Sequence, residues 1–329
     1  MIDWRWSYLR DVSYFVEIDG VSSDCWSHDV GCGQGRVLSS DFFNLISLSQ
    51  ALWIQESSVC SAFYVDDGVD LISADNLQDL NNLIKSTASQ RGEWYTVAGL
   101  TMNESKTVIM GMGCTPDSMT INGVTISPST SLKFLGVTLQ NNLKFDKHIQ
   151  VLCNKIRYAA GRIRVEGSSF SMNDRRILYN SWINGLIFSN CLTFLPHINN
   201  LQLSKLQTAM NRGIRAVSSL PNRGYAPVDD LRRHLNLPSI IEIRDKALYT
   251  EAWKRRKSFL EVSIGGPRTR ARSCGNLPLG KSNGILTHLL SNKLIVAWNQ
   301  LPLHLKHDDS RYSARRKIRN LVLQNASPF

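Results

Sequence analysis

The chain has 329 residues, 43% of them hydrophobic and 20% charged, and its 38 Lys and Arg against 27 Asp and Glu leave a formal net charge of +11. That hydrophobic share supports a real core and excludes a disordered chain on composition, while the length allows one large domain or two to three smaller ones. A cationic surplus of this size favours a polyanionic partner, nucleic acid or an anionic membrane face, although a basic protein with no such partner has the same charge.

The opening residues, MIDWRWSYLRD, carry charge within the first few positions, so no secretory signal is visible. Residues 183–195 form the most apolar later run, but Asn184, Ser189 and Asn190 interrupt it and Pro196 ends it, so it is too short and polar to span a bilayer. Seven cysteines at irregular spacing, with no CxxC pair, suit a reducing compartment. The expectation is a cytoplasmic or nuclear protein, not secreted, with no membrane partner. Cys25, His28 and Cys32 lie close together, but no fourth ligand is near in sequence, and ordinary thiols beside a turn are the simpler reading.

Three zones are expected: 1–139, mixing short β-like runs with helices; 140–257, mostly helical; and 258–329, basic, richer in Gly and Pro, and less regular. In the first, residues 14–18 alternate towards the turn signal Asp19-Gly20. Residues 42–53 have a broad apolar helical face, with Ser39 and Asp41 as candidate caps. Two short arms, 61–65 and 69–73, flank Asp66-Asp67-Gly68, where Asp-Gly signals a hairpin turn. A helix over 77–87 follows, then strands at 107–110 and 132–139.

In the second zone Ile149, Leu152, Ile156, Ala159, Ala160 and Ile163 fall at helical spacing, and Lys147, Lys155, Arg157, Arg162 and Arg164 decorate the same segment. Ser171 and Asp174 suggest a capping box, and residues 201–217 form another amphipathic stretch. The third zone holds PRTRAR at 267–272 and RRKIR at 315–319, short basic runs of a kind that contacts phosphate.

The carboxylates of FYVDDGVDLIS, residues 63–73, need a reason beyond the turn. Adjacent carboxylates repel, yet their oxygens suit a hard cation such as Mg²⁺, and a hairpin holds them rigidly. A plain turn accounts for this motif equally well when it is taken alone.

The surrounding segments decide between the two. Residues 33–40, GQGRVLSS, resemble the PQG-x-x-L-S-P segment of the reverse-transcriptase domain of non-LTR (LINE-type) retrotransposons. Residues 63–68 resemble its F-x-DD hairpin, 99–107 its G-L-x-N-x-x-K-T segment, and 134–137 its FLG primer-grip strand. Trp298-Asn299-Gln300-Leu301-Pro302 resembles the W-N-x-L-P signature near the end of such reading frames. The likeness runs in order from about Tyr14 to Arg319.

That resemblance implies an α+β fold: an antiparallel palm sheet with packed helices, a mostly helical thumb, and an irregular basic tail. It implies an RNA-directed DNA polymerase using Mg²⁺, or Mn²⁺ in its place, on an RNA template, a DNA primer and deoxynucleoside triphosphates. Asp66 would ligate metal with Asp67 beside it, and Lys106 would approach the triphosphate. Gln34 and Gly35 would lie against the nascent base pair, Asn103 would support the Lys106 loop, and Phe134, Leu135 and Gly136 would hold the primer end.

Two departures temper the expectation. Gly33 replaces the proline of PQG, and Ser39-Ser40 replaces Ser-Pro. The family also has an earlier metal-binding aspartate, and Asp3, Asp11 and Asp19 do not fit it. The expectation is therefore the C-terminal part of such a polymerase (late palm, thumb and tail), inactive alone, with weakly held metal and the N-terminal portion of the element's protein as a partner. A non-catalytic nucleic-acid-binding remnant is the alternative.

Overall fold

The computed structural model describes residues 12–27, 36–54, 58–219, 227–264, 276–277 and 290–325. The chain divides into two compact units, Met1–Thr130 and Ser131–Phe329. The architecture is α+β, with helices prevailing and five two-stranded antiparallel sheets among the described residues.

In the first unit β1 (Ser13–Tyr14) pairs with β4 (Trp26–Ser27), and β2 (Glu17–Ile18) pairs with β3 (Val21–Ser22). Asp19 and Gly20 join the latter pair with φ of +50° and +79°, the signature of a type I′ turn, whose twist suits a two-residue hairpin. Helix α1 (Ser39–Trp53) begins after Leu38, which makes no side-chain capping bond. Ser39 is thus already helical, and Asp41 lies in the first turn, where its charge meets the positive helix end.

The hairpin of β5 (Val59–Tyr64) and β6 (Asp67–Ile72) precedes α2 (Leu77–Val97). Asn76 caps α2 by accepting the Asp79 amide at 2.9 Å. This helix runs ten residues beyond the 77–87 read from periodicity. Its last turns carry the buried Arg91 and Trp94, and Trp94 Nε1 donates to Ser49 Oγ of α1 at 3.1 Å. Tertiary contact, rather than apolar spacing, thus accompanies the extension.

Residues 107–110 form no strand. The next pairing is β7 (Met119–Ile121) with β8 (Val124–Ile126), around Asn122-Gly123 with φ of +47° and +80°. Asn-Gly is a strong hairpin signal, and this hairpin is additional to the strands expected from sequence.

The second unit opens on β9 (Ser131–Phe134) and β10 (Val137–Gln140). The expected single strand 132–139 is instead a hairpin folded at Leu135-Gly136, with φ of +45° and +84°. Helix α3 (Asp146–Glu166) follows. Then α4 (Met172–Tyr179), capped by Ser171, passes through a π turn (Asn180–Asn184) into a last helical turn, Gly185–Phe188. After α5 (Cys191–Phe194), α6 (Asn200–Val217) starts from a capping box in which Asn199 and Gln202 exchange side-chain-to-backbone bonds.

The apolar faces of α3, α4 and α6 form the main core, with Ile156, Ile163, Ile183, Leu206, Met210 and Ile214 almost fully buried. A Cβ on Gly213 would come 2.4 Å from Ile183 Cδ1, so glycine permits this close helix approach.

The remaining helices are α7 (Val228–His234), α8 (Ile240–Lys254), α9 (Arg256–Ile264), α10 (Leu290–Gln300), α11 (Leu303–Lys306) and α12 (Arg311–Asn325). Of the tail expected to be irregular over 258–329, the described part is largely helical and shares a core with Tyr249, Ala252 and Trp253 of α8. Trp298 is fully buried at the centre of that core, edge-on to Phe259 at 5.4 Å, with Leu301, Leu305, Ala314 and Ile318 around it. Asn299 accepts the Leu277 amide at 2.8 Å and donates to the Leu277 carbonyl at 2.9 Å, and Pro302 precedes α11. The W-N-x-L-P segment is therefore structural in this unit. The RRKIR run lies on α12, whereas PRTRAR falls outside the described residues.

Candidate functional site

Antiparallel register sets the carboxylate pair. Tyr64 faces Asp67, Phe63 faces Gly68, Ser61 faces Asp70 and Val59 faces Ile72. The two-residue tip is therefore Val65-Asp66: of the expected Asp66-Asp67-Gly68 turn only Asp66 lies in it, and Asp67 and Gly68 belong to β6. Gly68 has a packing role instead, since a Cβ there would lie 3.0 Å from Phe63 Cε1. Val65 has φ of +55°, a region that a β-branched residue enters only at a cost. Asp66 at the tip and Asp67 at the start of β6 are both exposed.

The inward face of the hairpin carries Ser61, Phe63 and Asp70. Asp70 is an acid at an inward strand position, between Val69 and Leu71, and its partner comes from α2. Arg91 Nη2 and Nε donate to the two Asp70 oxygens at 2.6 and 3.1 Å, Nη2 also donates to Ser61 Oγ at 2.6 Å, and Nη1 donates to the Gln50 carbonyl of α1 at 2.7 Å. The guanidinium also lies over the Phe63 ring, 4.8 Å from its centre. One cation of fixed fork geometry thus ties both strands and two helices together beneath the carboxylates. The sequence motifs single out neither Asp70 nor Arg91. The available signal is a charge at an inward-facing strand position, which demands a partner.

Lys106 closes a 3-10 turn, Glu104–Lys106. Asn103 organises that loop: its Oδ1 accepts the Lys106 amide at 3.2 Å and the Ser105 hydroxyl at 2.7 Å, and its carbonyl accepts the Thr107 hydroxyl at 2.9 Å. Asn122 Nδ2 donates to Glu104 Oε1 at 2.5 Å, which fixes the loop to the β7–β8 turn and lowers the Glu104 pKa. An open cavity of 1310 Å³ runs beside this loop, with Trp53, Lys85, Glu93, Asn103 and Asn122 in its wall. Among the described residues no hydrogen bond or ion pair joins Lys106 to Asp66 or Asp67.

Gln34 and Gly35, like Asp3 and Asp11, lie outside the described residues. Asp19 is exposed in its own turn. Phe134, Leu135 and Gly136 belong to the second unit, where the Leu135 carbonyl accepts from Asn190 Nδ2 at 3.3 Å.

Asp66 and Asp67 offer oxygen donors of the type a hard divalent cation takes. Among the described residues no group of three His, Cys, Asp or Glu side chains is arranged to hold a metal. The donors fit in kind and fall short in number.

No family model and no solved structure matches the chain. It is 21% identical over 250 residues to the RNA-directed DNA polymerase from mobile element jockey of Drosophila melanogaster, covering 71% of this chain and 26% of that protein. With the same-named protein of Drosophila funebris it shares 22% identity, covering 81% of this chain and 31% of the relative. The Retrovirus-related Pol polyprotein from type-1 retrotransposable element R1 of Bradysia coprophila is 24% identical, over 82% of this chain and 27% of its own length. The chain thus spans between a quarter and a third of the curated relatives it matches. Over most of its length this protein is homologous to the RNA-directed DNA polymerases of non-LTR retrotransposons.

Proposed function

We propose that the chain is part of an RNA-directed DNA polymerase, with the β5–β6 hairpin contributing Asp66 and Asp67 to the metal site. In this reading the first unit is late palm and α3 opens a helical thumb. The observation that carries it is the exposed carboxylate pair at a strained hairpin tip, anchored from below by Arg91 and Asp70. Asp66 and Asp67 would help to hold Mg²⁺, which when bound would supply charge to the attacking oxygen and the leaving group. This chain's own residues would bind and orient. Lys106 would offer a cation to the triphosphate on a loop held by Asn103, while the roles of Gln34 and Gly35 at the nascent base pair and of Phe134, Leu135 and Gly136 at the primer end are those the family resemblance implies.

The outward face of α3 supports the thumb assignment. Val151, Tyr158 and Val165 are exposed seven residues apart, hence on one stripe, beside Lys155, whereas Arg162 on the same helix is engaged by Glu166 at 2.7 and 2.8 Å. Such a stripe offers charge to phosphates and apolar surface to sugars and bases. Among the described residues no helix is long and apolar enough to cross a membrane.

Because the described residues supply two carboxylates where a two-ion site takes more, we expect these 329 residues alone to bind Mg²⁺ weakly and to synthesise little. Primer extension on an RNA template with Mg²⁺ tests this. Synthesis by the purified chain that is lost in Asp66→Ala would establish the polymerase and overturn the inactivity. The second reading, nucleic-acid binding without chemistry, is favoured by the net charge of +11. It predicts no synthesis, with RNA and DNA binding unchanged in Asp66→Ala.

A further inference from the structure

A groove of 600 Å³ lies in the second unit, where the π turn of α4, the α7–α8 corner and α12 meet. Phe188, Pro238 and Leu323 are among its apolar lining residues, and Lys246 and Arg319 line it as well. The charges here do not balance. Arg232 is paired with Glu242 at 3.1 Å and with Asp229 at 3.4 Å, which occupies both acids of the groove. Arg233 is paired with Asp230 at 2.9 Å. Among the described residues, neither Lys246, Arg319 nor the neighbouring Arg315 has a carboxylate within ion-pairing distance. The hydrogen bond of Arg319 goes to a neutral partner, Asn236 Oδ1, at 3.5 Å.

Lys246 responds to this environment. Burial against its neighbours lowers its pKa, and the like charges of Arg319 and Arg315 lower it further. Clustering three cations without an anion is unfavourable, and a bound anion would relieve it. The groove also holds Asn184, almost fully buried, whose Oδ1 receives no hydrogen bond among the described residues while its Nδ2 donates to Asn180 Oδ1 at 2.8 Å. Asn184 sits at the end of the π turn, a helix defect that recurs at functional sites.

Two requirements therefore converge: an anion for the cations, and a flat or apolar body for the Phe188 side. Free phosphate meets only the first. A nucleotide within a strand meets both, through its phosphodiester and its base. We propose that this groove is a binding site for single-stranded nucleic acid. In it Lys246 and Arg319 hold the backbone phosphates, with Arg315 adding charge beside the groove, and a base lies along Phe188. This assignment does not rest on the metal reading of Asp66, and failure of primer extension leaves it standing.

Fluorescence anisotropy of the full chain with a labelled oligouridylate of about twelve nucleotides, long enough for a single-strand site, tests it. Lys246→Gln/Arg319→Gln should weaken binding about tenfold at moderate salt, and should flatten the plot of log affinity against log salt by about 1.4, the release expected for two single-strand phosphate contacts. Phe188→Ala should weaken binding while leaving that slope unchanged, because a stacking contact releases no counterion. Wild-type affinity in either variant overturns the proposal. So does equal displacement of the probe by oligoglutamate, which would make the site one for acidic peptides. Should the double variant lose its helical circular dichroism, photocrosslinking of the wild-type chain with a 5-iodouridine oligonucleotide decides. A crosslink in the peptide bearing Phe188 supports the site, and crosslinks confined to other peptides refute it.

Discussion

Arg91 and Asp70 form a two-toothed ion pair between α2 and β6, with Nη2 2.6 Å and Nε 3.1 Å from the carboxylate oxygens. The arginine side chain is 6% exposed and the aspartate side chain 22%. A two-stranded hairpin is marginal by itself in water, so this contact helps to make β5–β6 a fixed mount. Arg91→Met should lower stability by about 3 kcal/mol, because it leaves a largely buried carboxylate without its cation. Adding Asp70→Asn to that variant should restore part of the loss, since the stranded charge is then gone. Urea unfolding of the full chain measures both, and an unchanged midpoint for Arg91→Met would contradict this role.

Val65 occupies the hairpin tip at φ +55°, beside Asp66. The strain is on the order of 1–3 kcal/mol for such a residue, and glycine removes it at an entropic cost of about 0.5–1 kcal/mol. Val65→Gly should therefore stabilise the hairpin by about 1 kcal/mol, read as slower hydrogen exchange of the β5 and β6 amides. Faster exchange would mean that the Val65 side chain contributes more than its backbone costs.

Asn299 makes two hydrogen bonds to the backbone of Leu277, at 2.8 and 2.9 Å. Asn299→Ala leaves a partly buried amide and carbonyl without their partners and should cost about 2 kcal/mol. Asn299→Asp keeps the acceptor for the amide and should fall between alanine and wild type. Thermal unfolding followed by Trp fluorescence is a direct readout, because Trp298 lies in the same core.

His148 is buried on α3, and its Nδ1 accepts the Thr138 amide at 3.3 Å. Burial lowers its pKa below the ordinary value of 6.5, and Lys155 lowers it further. The unfolded chain therefore takes up a proton before the folded one does. The stability associated with neutral His148 is complete above about pH 6.5 and is lost as pH falls through that value towards the folded pKa. His148→Gln should flatten the stability profile below about pH 6.5 relative to wild type. Urea midpoints across that range check it, and parallel profiles would exclude His148 as a source of acid sensitivity.

Local chemistry makes much of the fold legible. The spacing of Ile149, Leu152, Ile156 and Ile163 marks α3, Ser171 marks the start of α4, and Asp19-Gly20 marks its turn. Each is settled by residues within about one helical turn or one hairpin of each other, a range over which side-chain periodicity and backbone preference act. The Asn122-Gly123 hairpin rests on a signal of the same local kind.

The amino-acid order by itself determined the adjacent carboxylates, the arms around them, the basic surplus and the kinship with retrotransposon polymerases. Only tertiary structure decided that the tip is Val65-Asp66 rather than Asp66-Asp67-Gly68, and that Arg91 anchors the hairpin. It also set the helical tail around Trp298 and the groove at Lys246. The reason is range: Arg91 meets Asp70, Ser61 and Gln50 across 21, 30 and 41 residues. A strand register or an ion pair at such separations is selected by which faces can be buried together, a choice that no short window of sequence contains.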